Sequence, residues 1–533
     1  MPFWLARGRH FPETDAVTNH NLYAVLQAGF PARRDAIAVE TAGPDQQALH
    51  YTWDDIERAS ACLANLLQSL DLPDGARVAV QVEKSVEALL LYLATLRAGL
   101  VFLPLNTAYR AAEIEYFLTD AEPGVVVCSS ANEAWVREIA DRAGAAHVYT
   151  LNDDRTGTLL EAAAAMPQRF KTVTRTPDDL ACILYTSGTT GRSKGAMLSH
   201  GNLAANARVL HTHWGWRGDD VLLHMLPIFH VHGLFVATHG ALLAGARMIW
   251  LPRFDARQAL RHLPRATVMM GVPTYYVRLL AEADFGREAC AGMRLFISGS
   301  APLLAETFKE FQTRTGHTIL ERYGMSETIM LTSNPYDGVA GPRLAGTVGQ
   351  ALPGVEVRVV GDNGKPLPPG EIGNVQVRGP NVFSGYWRMP EKTREEFTED
   401  GWFKTGDVGR WGGESAGHPV PADYLSIVGR SKDLIISGGF NVYPKELESV
   451  IDEMPGVAES AVIGVPHADF GEAVVAVVVP RDGAPLDPAA IQNELKARVA
   501  NFKVPKRVHV ADELPRNTMG KVQKNVLREI YGQ

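Results

Sequence analysis

A chain of 533 residues is long enough for more than one domain, and its 46% hydrophobic and 21% charged residues exclude wholesale disorder. Its formal net charge of -8 leaves no basic excess for binding nucleic acid or an anionic membrane. The four cysteines lie far apart without a CxxC pair, which argues against a disulfide scaffold and a thiolate zinc site. This cysteine usage is typical of a reducing compartment.

The N-terminal 20 residues contain no apolar segment, so the sequence predicts no signal peptide. The most membrane-like stretch is Val86–Leu105, but Glu87, Arg97 and Pro104 interrupt it. We therefore expect a buried helix followed by a strand there, and a cytoplasmic protein that does not associate with membranes.

Short β-branched runs alternate with longer amphipathic segments along the first 300 residues. Such alternation predicts an α/β architecture with largely parallel sheets, and several runs are apolar throughout, as strands covered on both faces must be. Trp53–Leu70 is predicted to be a helix with Thr52 as its N-cap. The predicted strands are Val78–Val82, Gly124–Cys128, His147–Leu151, Leu180–Tyr185, Arg247–Leu251, Thr267–Gly271 and Leu295–Ser298.

The pattern changes twice in the second half of the chain. From about residue 345 to 430, Gly- and Pro-rich turns separate hairpin-like strands at Val355–Val360 and Gly373–Arg378, which predicts a β subdomain of an N-terminal domain spanning 1–430. Residues 411–422 read as a surface insertion. Residues 431–533 predict a small α+β domain. Its elements are strands at Ser460–Val465, Ala473–Val479 and Arg507–Val510 and a helix at Pro488–Ala500.

The most informative segment is the loop YTSGTTGRSKG at residues 185–195, which follows an apolar strand. Its glycines permit close backbone approach, and its hydroxyls, backbone N–H groups and Lys194 can surround an anion. The loop is therefore interpreted as a phosphate-binding loop. It does not match the P-loop pattern GxxxxGK[ST], because Ser193 replaces the second glycine and Gly195 follows the lysine.

This loop resembles the signature loop of the adenylate-forming superfamily, which comprises acyl-CoA synthetases, peptide-synthetase adenylation domains and luciferases. Further motifs of the superfamily follow in order along the chain. They are LPIFHVHG at 226–233, SGSAPL at 298–303, YGMSE at 323–327, GYW at 385–387, GWFKTGD at 401–407, GRSKD at 429–433, GGFNVYP at 438–444 and PRNTMGK at 515–521.

The resemblance implies a large N-terminal domain, a small mobile C-terminal domain and a two-step reaction. A carboxylate attacks the α-phosphate of ATP to give an acyl-adenylate and pyrophosphate, and the thiol of CoA then displaces AMP. Both steps develop negative charge, so cations and N–H donors are the main catalytic need.

The resemblance also assigns roles to individual residues. Glu327, assisted by Thr186, would hold Mg²⁺ on the ATP phosphates, although a helix-capping carboxylate is the alternative for Glu327. His230 would gate the acyl pocket, although it could be an ordinary core histidine. The residues assigned to ATP are Thr186, Ser187, Gly188, Thr189, Thr190, Gly191, Lys194, Ser300, Ala301, Pro302, Tyr323, Gly324, Met325, Ser326, Asp407 and Arg430.

Three sites in the C-terminal region follow from the same resemblance. Lys521 would bridge the substrate carboxylate and ATP, although a lysine in such a segment is otherwise a solvated surface residue. Lys432 would be the hinge between two catalytic poses, and Ser437, Gly438 and Gly439 would line the path of CoA in the second pose. Because acetylation removes the charge of a lysine, a lysine acetyltransferase and a deacetylase acting on Lys521 are predicted regulatory partners.

Two arginines bear on the substrate. Arg322 stands directly before Tyr323, where many members carry a small residue, and Arg278 lies in a pocket-lining motif. A guanidinium beside a buried pocket needs an anion, so we expect Arg322, alone or with Arg278, to meet a second carboxylate of the substrate, with an internal pair with Glu321 or another acid as the alternative.

These segments resemble malonyl-CoA synthetases, so malonate, and also methylmalonate, is the predicted substrate. An acyl-CoA synthetase for a short-chain or aromatic monocarboxylic acid, an adenylation enzyme that loads a carrier protein, and a non-enzymatic binding protein remain alternatives.

Overall fold

The computed structural model describes residues 19–42, 47–186, 193–415, 417–437, 440–467, 471–481, 484–499, 501–517 and 520–532. Up to residue 164 the helices are α1 (Leu22–Gln27), α2 (Trp53–Ser69), α3 (Val86–Arg97), α4 (Ala111–Ala121), α5 (Glu133–Arg142) and α6 (Thr158–Ala164). The strands of this part are β1 (Ile37–Ala42), β2 (Ala48–Thr52), β3 (Arg77–Gln81), β4 (Val101–Pro104), β5 (Val125–Cys128) and β6 (His147–Thr150).

The next 170 residues hold a second run of alternating elements. Its helices are α7 (His200–His213), a π-helix (His232–Thr238), α8 (His239–Ala244), α9 (Ala256–His262), α10 (Pro273–Leu280) and α11 (Ala305–Thr315). Its strands are β7 (Leu180–Thr186), β8 (Lys194–Ser199), β9 (Val221–His224), β10 (Arg247–Trp250), β11 (Val268–Gly271), β12 (Leu295–Ser298), β13 (Ile319–Tyr323) and β14 (Thr332–Ser333).

The remainder of the chain is richer in antiparallel strands. These are β15 (Gln350–Ala351), β16 (Glu356–Val360), β17 (Gly373–Arg378), β18 (Gly385–Tyr386), β19 (Phe403–Ser415), β20 (His418–Arg430), β21 (Ile435–Ser437), β22 (Phe440–Val442), β23 (Val457–His467), β24 (Gly471–Pro480) and β25 (Arg507–Val510). The helices are α12 (Pro390–Glu396), α13 (Pro444–Asp452), α14 (Pro488–Arg498) and α15 (Lys524–Tyr531).

Four sheets organise these strands. A nine-stranded sheet has the order β15-β14-β13-β12-β11-β9-β10-β1-β2, and a seven-stranded sheet has the order β18-β8-β7-β4-β3-β5-β6. The central strands of both are parallel, as the alternation of strands and helices predicts. The four strands β16-β17-β19-β20 form an antiparallel sheet, and a five-stranded sheet, β22-β21-β24-β23 with β25 paired to β24, belongs to the C-terminal region.

Local sequence explains how the predicted elements form. Thr52 and Asp55 make a capping box that starts α2, and Trp53 and Ile56 are buried on its inner face. The membrane-like stretch is α3, buried along its whole length, followed by β4. No helix among the described residues is long and apolar enough to cross a membrane. The α/β class and the listed strands are confirmed, whereas the domain boundary near Lys432 stays a prediction.

Two features add to the sequence prediction. Residues 411–415 and 417–422, predicted as a surface insertion, form the outer, mostly exposed part of a long hairpin, in which β19 and β20 pair from Asp407↔Arg430 to Ser415↔His418. The strand β13 was not predicted, because Glu321 and Arg322 interrupt its apolar run. Both charged side chains are nevertheless buried, one on each face of the strand.

Candidate active site

A cleft of about 470 Å³ opens at the carboxyl ends of β4, β7, β9, β12 and β13 and is closed on one side by the C-terminal region. This is the edge at which parallel sheets place their ligands. Twelve of the residues predicted from sequence line it. They are Thr186, Lys194, His230, Ser300, Arg322, Gly324, Met325, Ser326, Glu327, Arg430, Lys432 and Lys521.

One end of the cleft combines a carboxylate with a lysine. The Tyr386 hydroxyl donates a 3.0 Å hydrogen bond to Oε1 of Glu327, and burial raises the pKa of that carboxyl. The Lys194 ammonium lies 4.2 Å from the centre of the Tyr386 ring and 3.5 Å from Glu396. Tyr386 belongs to the GYW motif, to which sequence reasoning gave no role. The predicted phosphate-loop residues Ser187, Gly188, Thr189, Thr190 and Gly191 lie outside the described residues.

The donors at this end fit a magnesium ion carried by a nucleotide. Mg²⁺ is usually held by one or two carboxylates together with substrate phosphates rather than by an all-protein cage. Glu327 and the Thr186 hydroxyl supply that kind of set, facing the same cleft. No cluster of three or more His, Cys, Asp or Glu side chains suited to a metal occurs among the described residues.

Asp407 is held between two other predicted nucleotide-binding residues. The Tyr323 hydroxyl donates to its Oδ2, and the Arg430 guanidinium lies 2.8 Å from its Oδ1. Asp407 is buried, while Arg430 reaches the cleft. A carboxylate fixed in this way can accept hydrogen bonds from two neighbouring hydroxyls.

Of the residues in the turn after β12 that were predicted to bind ATP, only Ser300 lines the cleft. Ser300 lines the cleft with a left-handed φ of 70°, a conformation that is costly for a residue with a side chain. Ala301 is half-buried and Pro302 is exposed, and neither is among the lining residues. Their assignment to ATP remains a prediction.

Lys521 reaches the cleft from a tight loop of the C-terminal region. Backbone N–H of Asn517 bonds the Lys521 carbonyl at 2.9 Å, and the Lys521 N–H bonds the Asn517 side chain at 3.0 Å. Gly520 lies against Thr274 of α10, so the loop rests on the N-terminal region. Surrounding protein and Arg430 lower the pKa of Lys521, although the side chain remains exposed to the open cleft.

Arg322 is a buried cation without a counter-ion. Only 4% of the residue is exposed, and its Nε and Nη2 have no hydrogen-bond partner among the described residues. Burial lowers the pKa of the Arg322 guanidinium to about 9, which leaves it charged at neutral pH. Within the described part of the chain, no carboxylate lies at ion-pair distance from it. Leaving a buried charge unpaired is costly, so this site calls for an anion.

The alternative pair with Glu321 is not formed. Glu321 and Arg322 are neighbours on β13, so their side chains leave opposite faces of the strand. Burial raises the pKa of Glu321 to about 8, and the cation that acts on it is Lys445 of the C-terminal region, not Arg322. The Glu321 side chain therefore leaves Arg322 free for a ligand.

The structure does not place Arg278 at the cleft, and its contact with the substrate remains a prediction. Arg278 lies in the last turn of α10 with its side chain exposed, and it is not among the residues that line the cleft. Tyr276 of the same helix is buried and acts electrostatically on Arg322. Arg278 lies on a different face of the helix from Tyr276, because residues two apart on a helix point in different directions.

His230 faces the two cations of the cleft. Burial, together with Lys521 and Arg322, lowers the pKa of His230 to about 3, so the imidazole is neutral. His232 lines the cleft beside it and begins the π-helix. His230, Arg322 and Lys521 therefore line the same cleft and interact electrostatically.

Sequence reasoning missed a buried lysine that supports this segment. Lys84 Nζ lies 2.9 Å from both Nδ1 and the carbonyl of His224 and 2.8 Å from the carbonyl of Leu251. Nε2 of His224 lies 3.0 Å from the carbonyl of Gly233 in the π-helix. A lysine in an unremarkable loop segment carries no sequence signal for burial.

The predicted CoA residues lie away from the cleft in this arrangement. Ser437 is buried at the end of β21, pairs with Phe440 and does not line the cleft. Gly438 and Gly439 lie outside the described residues. Lys432 lines the cleft within a short 3₁₀ turn, Ser431–Asp433, that connects β20 to β21.

Comparisons with known proteins bear on this geometry. The family model of the AMP-binding enzyme matches residues 27–387, and that of the AMP-binding enzyme C-terminal domain matches residues 446–521. The chain belongs to the AMP-binding enzyme family. It is accordingly an AMP-forming acid–thiol ligase with the α/β fold of adenylate-forming enzymes.

Individual relatives are similar over most of the chain. It is 35% identical to a malonate–CoA ligase of Arabidopsis thaliana over 85% of this chain and 78% of that protein. It is 34% identical to an indoleacetate–CoA ligase of Aromatoleum aromaticum, over 92% and 96% respectively.

Crystal structures of MatB from Rhodopseudomonas palustris share 54% identity over 97% of this chain and 99% of that one. The TM-score is 0.91 for the ATP-bound form and 0.82 for the apo form.

Proposed function

We propose that this enzyme converts malonate, ATP and CoA to malonyl-CoA, AMP and pyrophosphate, with methylmalonate as a second substrate. The observation that carries the proposal is the buried, unpaired guanidinium of Arg322 in the wall of the cleft. A monocarboxylic acid would leave that charge unpaired, whereas the distal carboxylate of malonate supplies a bidentate partner.

The spacing of the charges favours a short diacid. Arg322 and Lys521 act electrostatically on each other and on His230 across one acyl site. Lys521 would draw the reacting carboxylate towards the α-phosphate while Arg322 holds the distal one. Malonate, with a single carbon between its carboxylates, suits two cations that share a small site.

The remaining groups serve the nucleotide. Lys194 and the loop before it would hold the β- and γ-phosphates, and Glu327 with Thr186 would hold Mg²⁺, which neutralises phosphate charge. Asp407 and Arg430 would bind the ribose, with Tyr323, Gly324, Met325 and Ser326 around the base. These side chains act by position and charge, the main requirements of phosphoryl and acyl transfer.

The second half-reaction requires another arrangement. In the present one Lys521 occupies the cleft while Ser437 lies outside it. We propose rotation about Lys432, which would withdraw Lys521 and bring Ser437, Gly438 and Gly439 to the acyl site for CoA.

Substrate choice tests the proposal directly. The enzyme is incubated with ATP, CoA and one acid from a panel of malonate, methylmalonate, butyrate, benzoate and indoleacetate, and AMP release and the acyl-CoA are measured. Because pairing a desolvated charge is worth on the order of 2–5 kcal/mol, kcat/KM for malonate should exceed that for butyrate by roughly thirtyfold or more. A preference for butyrate, benzoate or indoleacetate would contradict the malonate assignment. Faster transfer to a phosphopantetheinyl carrier protein than to CoA would favour the carrier-loading alternative.

A further inference from the structure

We propose that Gly299 is a specificity-determining residue, because only a residue without a side chain leaves room for the Arg322 guanidinium in the acyl site. The inference rests on the proposed function and adds a second residue to its substrate recognition. Gly299 follows β12, and Arg322 lies on the adjacent strand β13.

The spacing between the two residues is decisive. A Cβ atom at Gly299 would lie 2.3 Å from Cζ, 2.4 Å from Nη1 and 2.6 Å from Nε of Arg322. The planar guanidinium therefore lies directly against the Gly299 backbone. Contacts this short do not occur between real atoms, so an alanine would force one of the two residues to move.

The guanidinium is the part that would move. The Gly299 N–H bonds the Gly271 carbonyl at 3.3 Å, which anchors it to β11. The Arg322 backbone is held in β13, where it pairs with Ser333 of β14. The φ of Gly299 lies outside the left-handed region, so alanine fits the backbone itself. The end of a flexible side chain yields more readily than two paired strands.

A displaced guanidinium affects one class of substrate only. Arg322 has no partner within the described chain, so its position is set by packing, and the Gly299 surface is part of that packing. Malonate would lose its bidentate contact, whereas a monocarboxylic acid makes none. We therefore expect Gly299→Ala to change substrate choice rather than the chemistry of adenylation.

The first measurement is kcat/KM of Gly299→Ala with malonate and with butyrate. A misplacement of about 1 Å can cost about a hundredfold, so malonate should lose about tenfold to a hundredfold. Butyrate should change by less than about threefold, and this retained activity shows that the variant folds. An equal loss for both acids would overturn the proposal.

A double-mutant cycle tests whether the effect passes through Arg322. In an Arg322→Gly background the added methyl meets no guanidinium, so Gly299→Ala should change malonate kcat/KM by less than about threefold. The same loss in both backgrounds would assign the effect to the backbone and overturn the inference.

Gly240→Ala is the matched control. A Cβ there would lie 2.7 Å from the Trp216 ring, and neither Gly240 nor Trp216 lines the cleft, so this variant should lose thermal stability and keep the malonate-to-butyrate ratio. A crystal structure of Gly299→Ala separates this inference from the proposed function. An unmoved guanidinium refutes the role of Gly299 whatever the substrate, whereas a parent enzyme that rejects malonate refutes the proposed function alone.

Discussion

At the scale of single residues, the two cations of the proposed acyl site, Arg322 and Lys521, are held in different ways. Arg322 lies on the paired strand β13 and its side chain is buried, so the sheet and the surrounding residues fix its position. Lys521 lies on a loop of the C-terminal region and reaches the same site only because that region closes on the cleft. We therefore expect Arg322 to affect which acid binds, and Lys521 to affect one half-reaction.

Replacing Arg322 by glycine should change substrate choice. Loss of one partner of a desolvated charge pair costs on the order of 2–5 kcal/mol, so kcat/KM for malonate should fall by roughly thirtyfold to several thousandfold. Butyrate should lose little, because no buried cation is left unpaired when it binds. Steady-state kinetics with both acids measures the ratio, and a parallel fall for malonate and butyrate would show that Arg322 is only structural.

Replacing Lys521 by alanine should abolish adenylation but spare thioester formation. A positioned charge at a developing anion contributes about 10²–10³ in rate, so malonate-dependent ATP–pyrophosphate exchange should fall at least a hundredfold. Supplied malonyl-adenylate should still react with CoA within a few-fold of the parent rate. Lys496→Ala, an exposed lysine of α14, is the control and should change neither rate. Equal losses in both half-reactions would refute the separate role.

Acetylated Lys521 should behave like the alanine variant, because acetylation also removes the charge. Retained ATP–pyrophosphate exchange in fully acetylated protein would contradict this, as would failure of a deacetylase to restore the exchange.

At the scale of elements, β13 carries unusual chemistry for a central strand. It pairs with β12 in parallel and β14 in antiparallel fashion, yet it buries Glu321 on one face and Arg322 on the other. Oε1 of Glu321 has no hydrogen-bond partner among the described residues, and burial raises the pKa of the carboxyl from 4.5 to about 8. The contribution of Glu321 to the free energy of unfolding therefore depends on pH.

Stability should fall as pH rises between about 5 and 8, and Glu321→Gln should reduce that fall. The folded protein keeps a proton on Glu321 that the unfolded chain loses above pH 4.5, so the free energy of unfolding decreases with pH until the folded group also ionises near pH 8. At about 1.4 kcal/mol per pKa unit, the free energy of unfolding of Glu321→Gln should fall between pH 5 and pH 8 by on the order of 2–4 kcal/mol less than that of the parent.

Urea unfolding of the parent and of Glu321→Gln at pH 5 and pH 8 measures the difference. Glu371→Gln, at an exposed position, is the control and should keep the parent's dependence. An unchanged dependence in Glu321→Gln would show that Glu321 does not carry the shift.

At the scale of the whole molecule, few polar side-chain contacts among the described residues attach the C-terminal region. Arg481 lies 2.6 Å from Glu306, but both side chains are about half exposed, so the pair contributes little. The hydroxyl of Ser431, in the 3₁₀ turn, bonds Asn374 at 3.0 Å, whereas the 2.8 Å bond between Arg528 and Asp433 lies within the C-terminal region itself.

A proline at position 432 should block the change of arrangement. Proline fixes φ near −65°, which a short 3₁₀ turn accepts, so the present arrangement should persist. Rotation requires a different φ, so the variant should form and retain malonyl-adenylate but transfer it to CoA slowly. Rapid-quench measurement of the two half-reactions tests this, with Lys432→Ala as the control that keeps both. Normal overall turnover in Lys432→Pro would place the hinge elsewhere.

Local sequence was sufficient for most of the fold. Apolar β-branched runs such as Leu295–Ser298 and capped amphipathic segments such as Trp53–Ser69 determine their own secondary structure, because period and end signals are properties of neighbouring residues. The motifs likewise located most of the cleft, since several place their polar groups shortly after a strand, as at β7, β9, β12 and β13. The strand β13 escaped prediction because its charges are buried only by tertiary packing.

The sequence by itself determined the fold class, the family resemblance and the set of side chains available for chemistry. Only the tertiary structure decided which of them face one another. Arg278 lies at the surface, Glu321 and Arg322 lie on opposite faces of β13, the Arg322 guanidinium packs against Gly299, and Lys521 reaches the cleft from the far end of the chain. The reason is physical. Burial and pairing of a charge depend on groups that are distant in sequence, whereas propensity and periodicity report only on neighbours.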